Sequence, residues 1–308
     1  MASTCLKRTP SADGNDKKYT FSAWLKRSKI SQSQSVWSTW YQNQGRYAYI
    51  YFNTDDTLEF YTGAYPSQNS TGIYINTKAK YRDVNAWYHV VLVIDTDNAT
   101  QADRQIFYVN GVRQELDGSH SNGQTLSGSG TNTWFNRQNL HTLGRYANGT
   151  VNFDGLMSHV HWCDGYAYAP TEFGQTDPIT GEWKILTDPN VNYGTNGFFV
   201  FKNNASSTDQ SSNNLSFSTE GTLTKTEDNP SNIFCTLNPL TNQGSYTFAH
   251  GNSYLEGNDT NAWTKGIGGT LAAKSGKYYW EVKQSPGSHT DYNIFGFMKA
   301  DEVMNTSA

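Results

Sequence analysis

Three tyrosines at alternate positions, Tyr47, Tyr49 and Tyr51, with Trp40 nearby, are the residues here best suited to holding another molecule. Spacing of two along an extended chain places all three rings on one face. Such a row can stack on sugar rings, because an aromatic face offers apolar area while the phenol hydroxyls make hydrogen bonds. The competing use is burial against a second sheet, a connector or a neighbouring subunit. The segment GFFVFK at 197–202 is the candidate to cover the row.

Other spacings point to weaker chemistry. His159 and His161 would project from one face of a strand and could share a metal ion. No Asp, Glu or Cys is arranged about them, so two surface or interface histidines are the better reading. Asp95, Asp97 and Asp103 bracket a polar loop and offer the hard oxygen ligands that calcium takes, which makes calcium the candidate cofactor. EF-hand spacing is missing, and aspartates are common in surface loops. A retaining glycosidase needs two carboxyl groups about 5 to 5.5 Å apart. The nearest acid pairs, Asp55 with Asp56 and Asp95 with Asp97, lie in turns, where Asp bonds its own backbone. G-x-S-x-G, H-E-x-x-H and a Walker loop are absent. No catalytic residue is expected, and the chain reads as a binder and not an enzyme.

These residues need elements to position them, and the composition says which. Of 308 residues only 16% are charged while 14% are aromatic, with 27 Gly and 20 Tyr. Aromatic and β-branched residues sit in short runs punctuated by Gly, Asn, Asp and Ser, the pattern of strands and turns. In residues 17–26, Tyr19, Phe21, Ala23 and Leu25 share one face and Thr20, Ser22 and Trp24 the other, which predicts a half-buried strand. Strands follow at 35–41 and 47–52, where Ala48, Ile50 and Phe52 oppose the tyrosines, and Asp55-Asp56 turns the chain into a partner at 57–63. Residues 87–94, WYHVVLVI, are apolar on both faces and predict a central strand. Asn110-Gly111 supplies the two left-handed positions of a type I′ hairpin turn. Residues 118–133 form a polar surface loop, after which 141–146 and 153–162 resume the strand pattern.

The rest of the chain is sparser. Residues 176–245 read as an ordered connector with one clear strand, GFFVFK, and 246–308 as the opening of a second β unit with strands at 276–282 and 293–298. Some 60 residues are too few for a sandwich of about 100, so the polypeptide is expected to continue past Ala308. A formal net charge of -4 with no basic run argues against nucleic acid. No apolar run approaches the roughly 20 residues that cross a bilayer, so no membrane insertion is expected. Cys5, Cys163 and Cys235 are widely spaced and odd in number, and read as free, buried thiols.

Three segments carry a resemblance: FSAWLKR at 21–27, the pair WYHVVLVID at 87–95 with IFYVNGVRQ at 106–114, and LGRYANGTVNFDGLMSHVHW at 143–162. They resemble the laminin-G-like, concanavalin A-like lectin/glucanase superfamily. The resemblance implies an all-β, two-sheet jelly-roll sandwich over 1–175, followed by the ordered connector and an incomplete second β-sandwich. Trp87 and Trp162 would fill the space between its sheets. Glucanases of that superfamily carry E-x-D-x-x-E on one strand, and no such motif occurs here. The stretch WCDGYAYAPTEFGQTDPITGEW at 162–183 is similar to segments of large virion proteins of marine tailed bacteriophages, and 263–298 resembles the first part of a SPRY-like domain. That similarity implies a virion surface protein, assembled in the host cytoplasm: a tail fibre, capsid fibre or decoration subunit. Its partners would be other virion proteins and host-surface glycans, and symmetric fibres imply a homo-oligomer, with a trimer as the guess. A stand-alone carbohydrate-binding adhesin is the alternative, and a glycan-degrading enzyme the weakest reading.

Overall fold

The computed structural model describes residues 4–41, 45–64, 73–117, 130–203, 206–241, 244–257, 266–284 and 295–297. Contacts divide the chain into two compact units, Met1–Phe234 and Cys235–Ala308.

In the first unit the strands run β1 (Cys5–Arg8), β2 (Lys18–Arg27), β3 (Gln34–Tyr41), β4 (Arg46–Phe52), β5 (Thr57–Ala64) and β6 (Ile73–Lys80). Next come β7 (Tyr88–Asp95), β8 (Gln105–Val109), β9 (Val112–Arg113), β10 (Leu116–Asp117), β11 (Leu140–Leu143) and β12 (Gly155–Asp164). Four short strands follow: β13 (Gly174–Thr176), β14 (Trp183–Ile185), β15 (Phe198–Val200) and β16 (Ser218–Glu220). They build an eight-stranded sheet, β10-β6-β5-β4-β3-β11-β1-β16, and a six-stranded sheet, β15-β12-β2-β7-β8-β9. β13 and β14 pair with each other. The architecture is an antiparallel two-sheet sandwich, as the alternating patterns require.

The core lies between the sheets. Phe21, Leu25, Leu92, Phe107 and Trp162 of one sheet meet Trp37, Ile50, Phe52, Phe60 and Leu143 of the other. Each such side chain, fully buried, contributes roughly 1.5–3 kcal/mol. Trp87 does not share this space: it lies outside the core, and its indole Nε1 donates to Asp228 Oδ1 at 3.1 Å.

β7 is central, as its doubly apolar sequence predicts. β2 departs from expectation, because its outer residues Thr20, Ser22 and Trp24 are as buried as its inner ones. The chain after β12 runs back across them. Thr20 Oγ1 donates to the Tyr166 carbonyl at 2.9 Å and accepts the Tyr168 N–H at 2.8 Å. Trp24 stacks on His89 at 4.9 Å, and Trp183 Nε1 donates to His89 Nδ1 at 2.9 Å.

Residues 176–245 therefore include more than one strand. β15 extends the six-stranded sheet beside β12, and β16 extends the eight-stranded sheet beside β1. GFFVFK does not cover the tyrosine row, because its backbone completes the edge of the opposite sheet.

The β8–β9 turn has Asn110 at φ 49° and Gly111 at φ 78°, both in the left-handed region that a type I′ hairpin needs. A Cβ on Gly111 would lie 2.5 Å from the Trp183 ring. Gly111→Ala adds left-handed strain of about 1–2 kcal/mol to that clash. The expected result is a stability loss of about 2 kcal/mol or more in urea unfolding, with altered Trp183 emission; an unchanged midpoint would refute the tight contact.

In the second unit, β17 (Tyr246–Ala249) and β18 (Tyr254–Gly257) form a hairpin, and Leu237 bridges Gly269. The strand expected at 276–282 is not formed; Tyr278, Tyr279, Trp280 and Val282 are exposed. Alternation gives a segment the tendency to extend, but a strand also needs a neighbour's N–H and C=O groups, and no described segment supplies them. Of the strand expected at 293–298 only 295–297 are described, and they are exposed and form no strand; most of the loop expected at 118–133 lies outside the described residues. Cys5 and Cys163 are buried free thiols as expected, whereas Cys235 is exposed.

Candidate functional site

The tyrosine row is completed by cross-strand register. Residues directly opposite in an antiparallel pair share a face. Trp40 pairs with Tyr47, Tyr49 with Tyr61, Tyr51 with Glu59, and Tyr61 with Tyr74. The outer face of the eight-stranded sheet thus gathers all four sequence-predicted residues and adds Tyr61, Glu59 and Tyr74. The loop after β11 contributes Tyr146.

The rings are packed side by side. Tyr47 and Tyr61 stack at 4.9 Å, Tyr49 and Tyr61 at 5.3 Å, and Tyr49 lies 4.1 Å from Tyr51. Tyr146 meets Tyr47, Tyr49 and Tyr51 nearly at right angles, 5.7–6.2 Å away. Much ring-face area is used within the cluster itself. Tyr47 and Tyr61 are buried; Trp40, Tyr49, Tyr51, Tyr74 and Tyr146 keep some exposure.

Glu59 organises the hydroxyls. Its side chain is buried, yet its carboxylate accepts Tyr49 Oη–H at 2.6 Å, Tyr74 Oη–H at 2.5 Å and Asn53 Nδ2–H at 2.7 Å. Bonds to a charged acceptor are short and strong. Burial, and then the adjacent Glu59 charge, push both phenols above their ordinary pKa, so each keeps its proton. With those protons committed inward, the phenol oxygens can only accept from a ligand. Glu59 and Tyr61 escaped the single-strand reading, although the hairpin signal contained them: β4–β5 partners sit symmetrically about Asp55.

The other residues singled out in the sequence have contacts of their own. Asp55 Oδ1 accepts Thr57 N–H and Oγ1–H, the expected turn role, and Asp56 is wholly buried among Arg27, Arg82 and Ser31. Asp95 pairs with Lys18 at 3.0 Å and Asp103 with Arg113 at 2.7 Å. Two carboxylates of the Asp95, Asp97 and Asp103 trio thus each face a cationic side chain. Among the described residues no group of three or more His, Cys, Asp or Glu is placed to hold a metal.

His159 and His161 are not surface residues. A bulge separates them, with His159 at φ 46°, and both are buried against Phe199. Their Nδ1 atoms meet Ser158 Oγ and Tyr193 Oη. Burial lowers both pKa values, that of His159 to about 4.

One contact has the form of a nucleophile and base: Ser22 Oγ lies 2.9 Å from His89 Nε2. Trp183 donates to Nδ1, so the proton of the neutral ring sits on Nε2 and points at Ser22. Burial lowers His89 to about 3. This imidazole holds Ser22 in place and cannot take its proton.

The chain is similar to several solved structures. A heptameric SAP-like pentraxin from Limulus polyphemus is 17% identical, with 55% of this chain and 72% of that one covered and a TM-score of 0.36. Domain 4 of a GH43 extracellular arabinanase from Geobacillus stearothermophilus, in complex with arabinotriose, is 15% identical over 51% and 65%, with a TM-score of 0.35. The CBM40 of a Ruminococcus gnavus IT-sialidase, bound to α2,3 sialyllactose, is 14% identical over 48% and 83%, with a TM-score of 0.32. No curated protein matches the chain. No helix among the described residues is long and apolar enough to cross a membrane. The family pattern that matches covers residues 6–172, more than half of the sequence and nearly all of the sandwich's principal strands, and the chain belongs to the Concanavalin A-like lectin/glucanases superfamily.

Proposed function

We propose that the chain is a carbohydrate-binding protein whose ligand lies on the tyrosine face of the eight-stranded sheet, and that it binds without turnover. One observation carries this reading. The outer face of the six-stranded sheet is covered by its own chain at Thr20, Ser22 and Trp24, whereas the opposite outer face leaves Trp40, Tyr49, Tyr51, Tyr74 and Tyr146 partly exposed. The Tyr49 and Tyr74 oxygens, which only accept, suit the hydroxyl donors of neutral sugars, or the ammonium of amino sugars, and disfavour a carboxylate beside them.

A glycan array with the full chain tests this, followed by titration of the best ligand. Neutral or amino-bearing glycans are expected to bind, and Tyr51→Ala to weaken binding about tenfold, the worth of one stacking or hydrogen-bonding contact. Absence of any ligand, or undiminished affinity in Tyr51→Ala, would remove the face from consideration.

The setting we propose is a tailed-phage virion surface, as a fibre or decoration subunit in a homo-oligomer. Its support is the similarity of 162–183 to virion segments. An antibody against the chain is expected to label purified particles; unlabelled particles would withdraw the setting and leave the stand-alone adhesin.

A further inference from the structure

Lys26 ends the outer face of β2 with its side chain only 3% exposed, an unusual place for an ammonium. Its Nζ donates to Asp228 Oδ2 at 2.5 Å and to Asn85 Oδ1 at 3.2 Å. The Asp228 side chain is 6% exposed, and its other oxygen accepts Trp87 Nε1–H at 3.1 Å and the Phe234 N–H at 3.3 Å. An amine, a carboxamide and a carboxylate thus meet behind Trp87, itself buried. A nucleophile within hydrogen-bond reach of a base, and a base held by a third group, is the arrangement that activates a side chain for covalent chemistry.

We propose that this trio forms an intramolecular isopeptide bond between Lys26 Nζ and Asn85 Cγ, with Asp228 carrying protons. Asp228 takes one proton from the Lys26 ammonium, which cancels two buried charges. A turn of the Asn85 amide presents Cγ to the neutral amine, and a C–N bond forms. As the Cγ–Nδ2 bond breaks, Asp228 passes its proton to the departing nitrogen and receives one from Nζ. The products are a secondary amide, one ammonia and a protonated Asp228, with no oxidant or outside reagent. Holding the groups together replaces activation by an external agent, since pre-positioned partners react as if at very high concentration. The bond would tie the end of β2 to the segment just before β7 independently of non-covalent stability.

Intact-mass measurement of the denatured full chain decides it. The expected mass is about 17 Da below that of the sequence, one ammonia, and digestion should release one branched peptide joining Lys26 to Asn85. Lys26→Arg, Asn85→Ala and Asp228→Ala should each restore the full sequence mass. An unmodified wild-type mass after prolonged incubation overturns the proposal, whatever the variants do. So does the loss of water instead, with Lys26 joined to Asp228, and so does a full yield of the branched peptide from Asp228→Ala.

Discussion

Lowering the pH from about 7.5 to 5 is expected to cost the Met1–Phe234 unit about 8 kcal/mol of stability. Four buried histidines are responsible. Burial lowers His89 to about 3, and His141 and His159 to about 4, and His161 shifts the same way. Each is neutral in the folded unit, where Nδ1 of His89 accepts from Trp183 and Nε2 of His141 accepts the Asn136 N–H. In the unfolded chain each titrates near 6.5. Below that value the unfolded state binds protons that the folded state refuses, so stability is full above about pH 6.5 and falls towards the folded pKa values. Each group contributes about 2 kcal/mol between the two pH values, against a total stability of about 5–15 kcal/mol. Urea midpoints at pH 7.5, 6 and 5 should fall steeply. His89→Gln should remove about a quarter of that pH dependence, and a midpoint that stays level from pH 7.5 to 5 would contradict the assignment.

The same histidines show where reading a sequence stops. His159 and His161 are two apart, and alternation correctly sets them on one strand. Whether such a pair faces water or protein depends on what packs around the strand, and here that is Phe173 and Tyr193 from the covering chain and Phe199 from β15 beside it. The half-buried reading of β2 failed for this reason: Thr20 bonds the covering chain and Ser22 bonds His89 of the neighbouring strand, and neither is polar because it meets water. Local signals succeeded where the cause is local. Asn110-Gly111 made its hairpin, and the doubly apolar run at 87–94 became the central strand. For the candidate site, Tyr47, Tyr49 and Tyr51 were legible from alternation alone, and Trp40 from its nearness in sequence. Glu59, buried beneath phenols from two strands, needed the register of β4, β5 and β6 together. A charged residue in a tyrosine-rich strand reads as solvated until its cross-strand partners are known.

Asp56→Ala is expected to destabilise the unit by about 3–5 kcal/mol, because it strands a buried charge. Arg27 and Asp56 both have fully buried side chains, with Arg27 Nη1 3.0 Å from Asp56 Oδ1. Arg27 also donates to the Tyr81 carbonyl at 2.8 Å, and its guanidinium lies 4.6 Å above the Phe52 ring. Asp56 accepts the Ser31 N–H at 2.6 Å and Arg82 Nε–H at 2.9 Å. The aspartate joins the end of β2 to the turn between β4 and β5, and it occupies a left-handed φ of 72° that alanine tolerates poorly. Asp56→Asn keeps shape and turn but removes the charge, so it should recover only the backbone part of the loss. Adding Arg27→Met to Asp56→Ala should cost less than the single change, since no unpaired charge then remains. The pH dependence separates this pair from the histidines. Burial raises the Asp56 pKa, but the bonds from Ser31, Arg82 and Arg27 outweigh it, and the net shift is downward. Its stabilisation is therefore complete above the ordinary carboxylate range near 4 and is lost only as pH falls below that. The penalty of Asp56→Ala should then be equal at pH 7.5 and 5, while the histidine contribution falls between them. A penalty below about 1 kcal/mol, the value of an exposed ion pair, would show that the Arg27 charge is solvated and not held by Asp56.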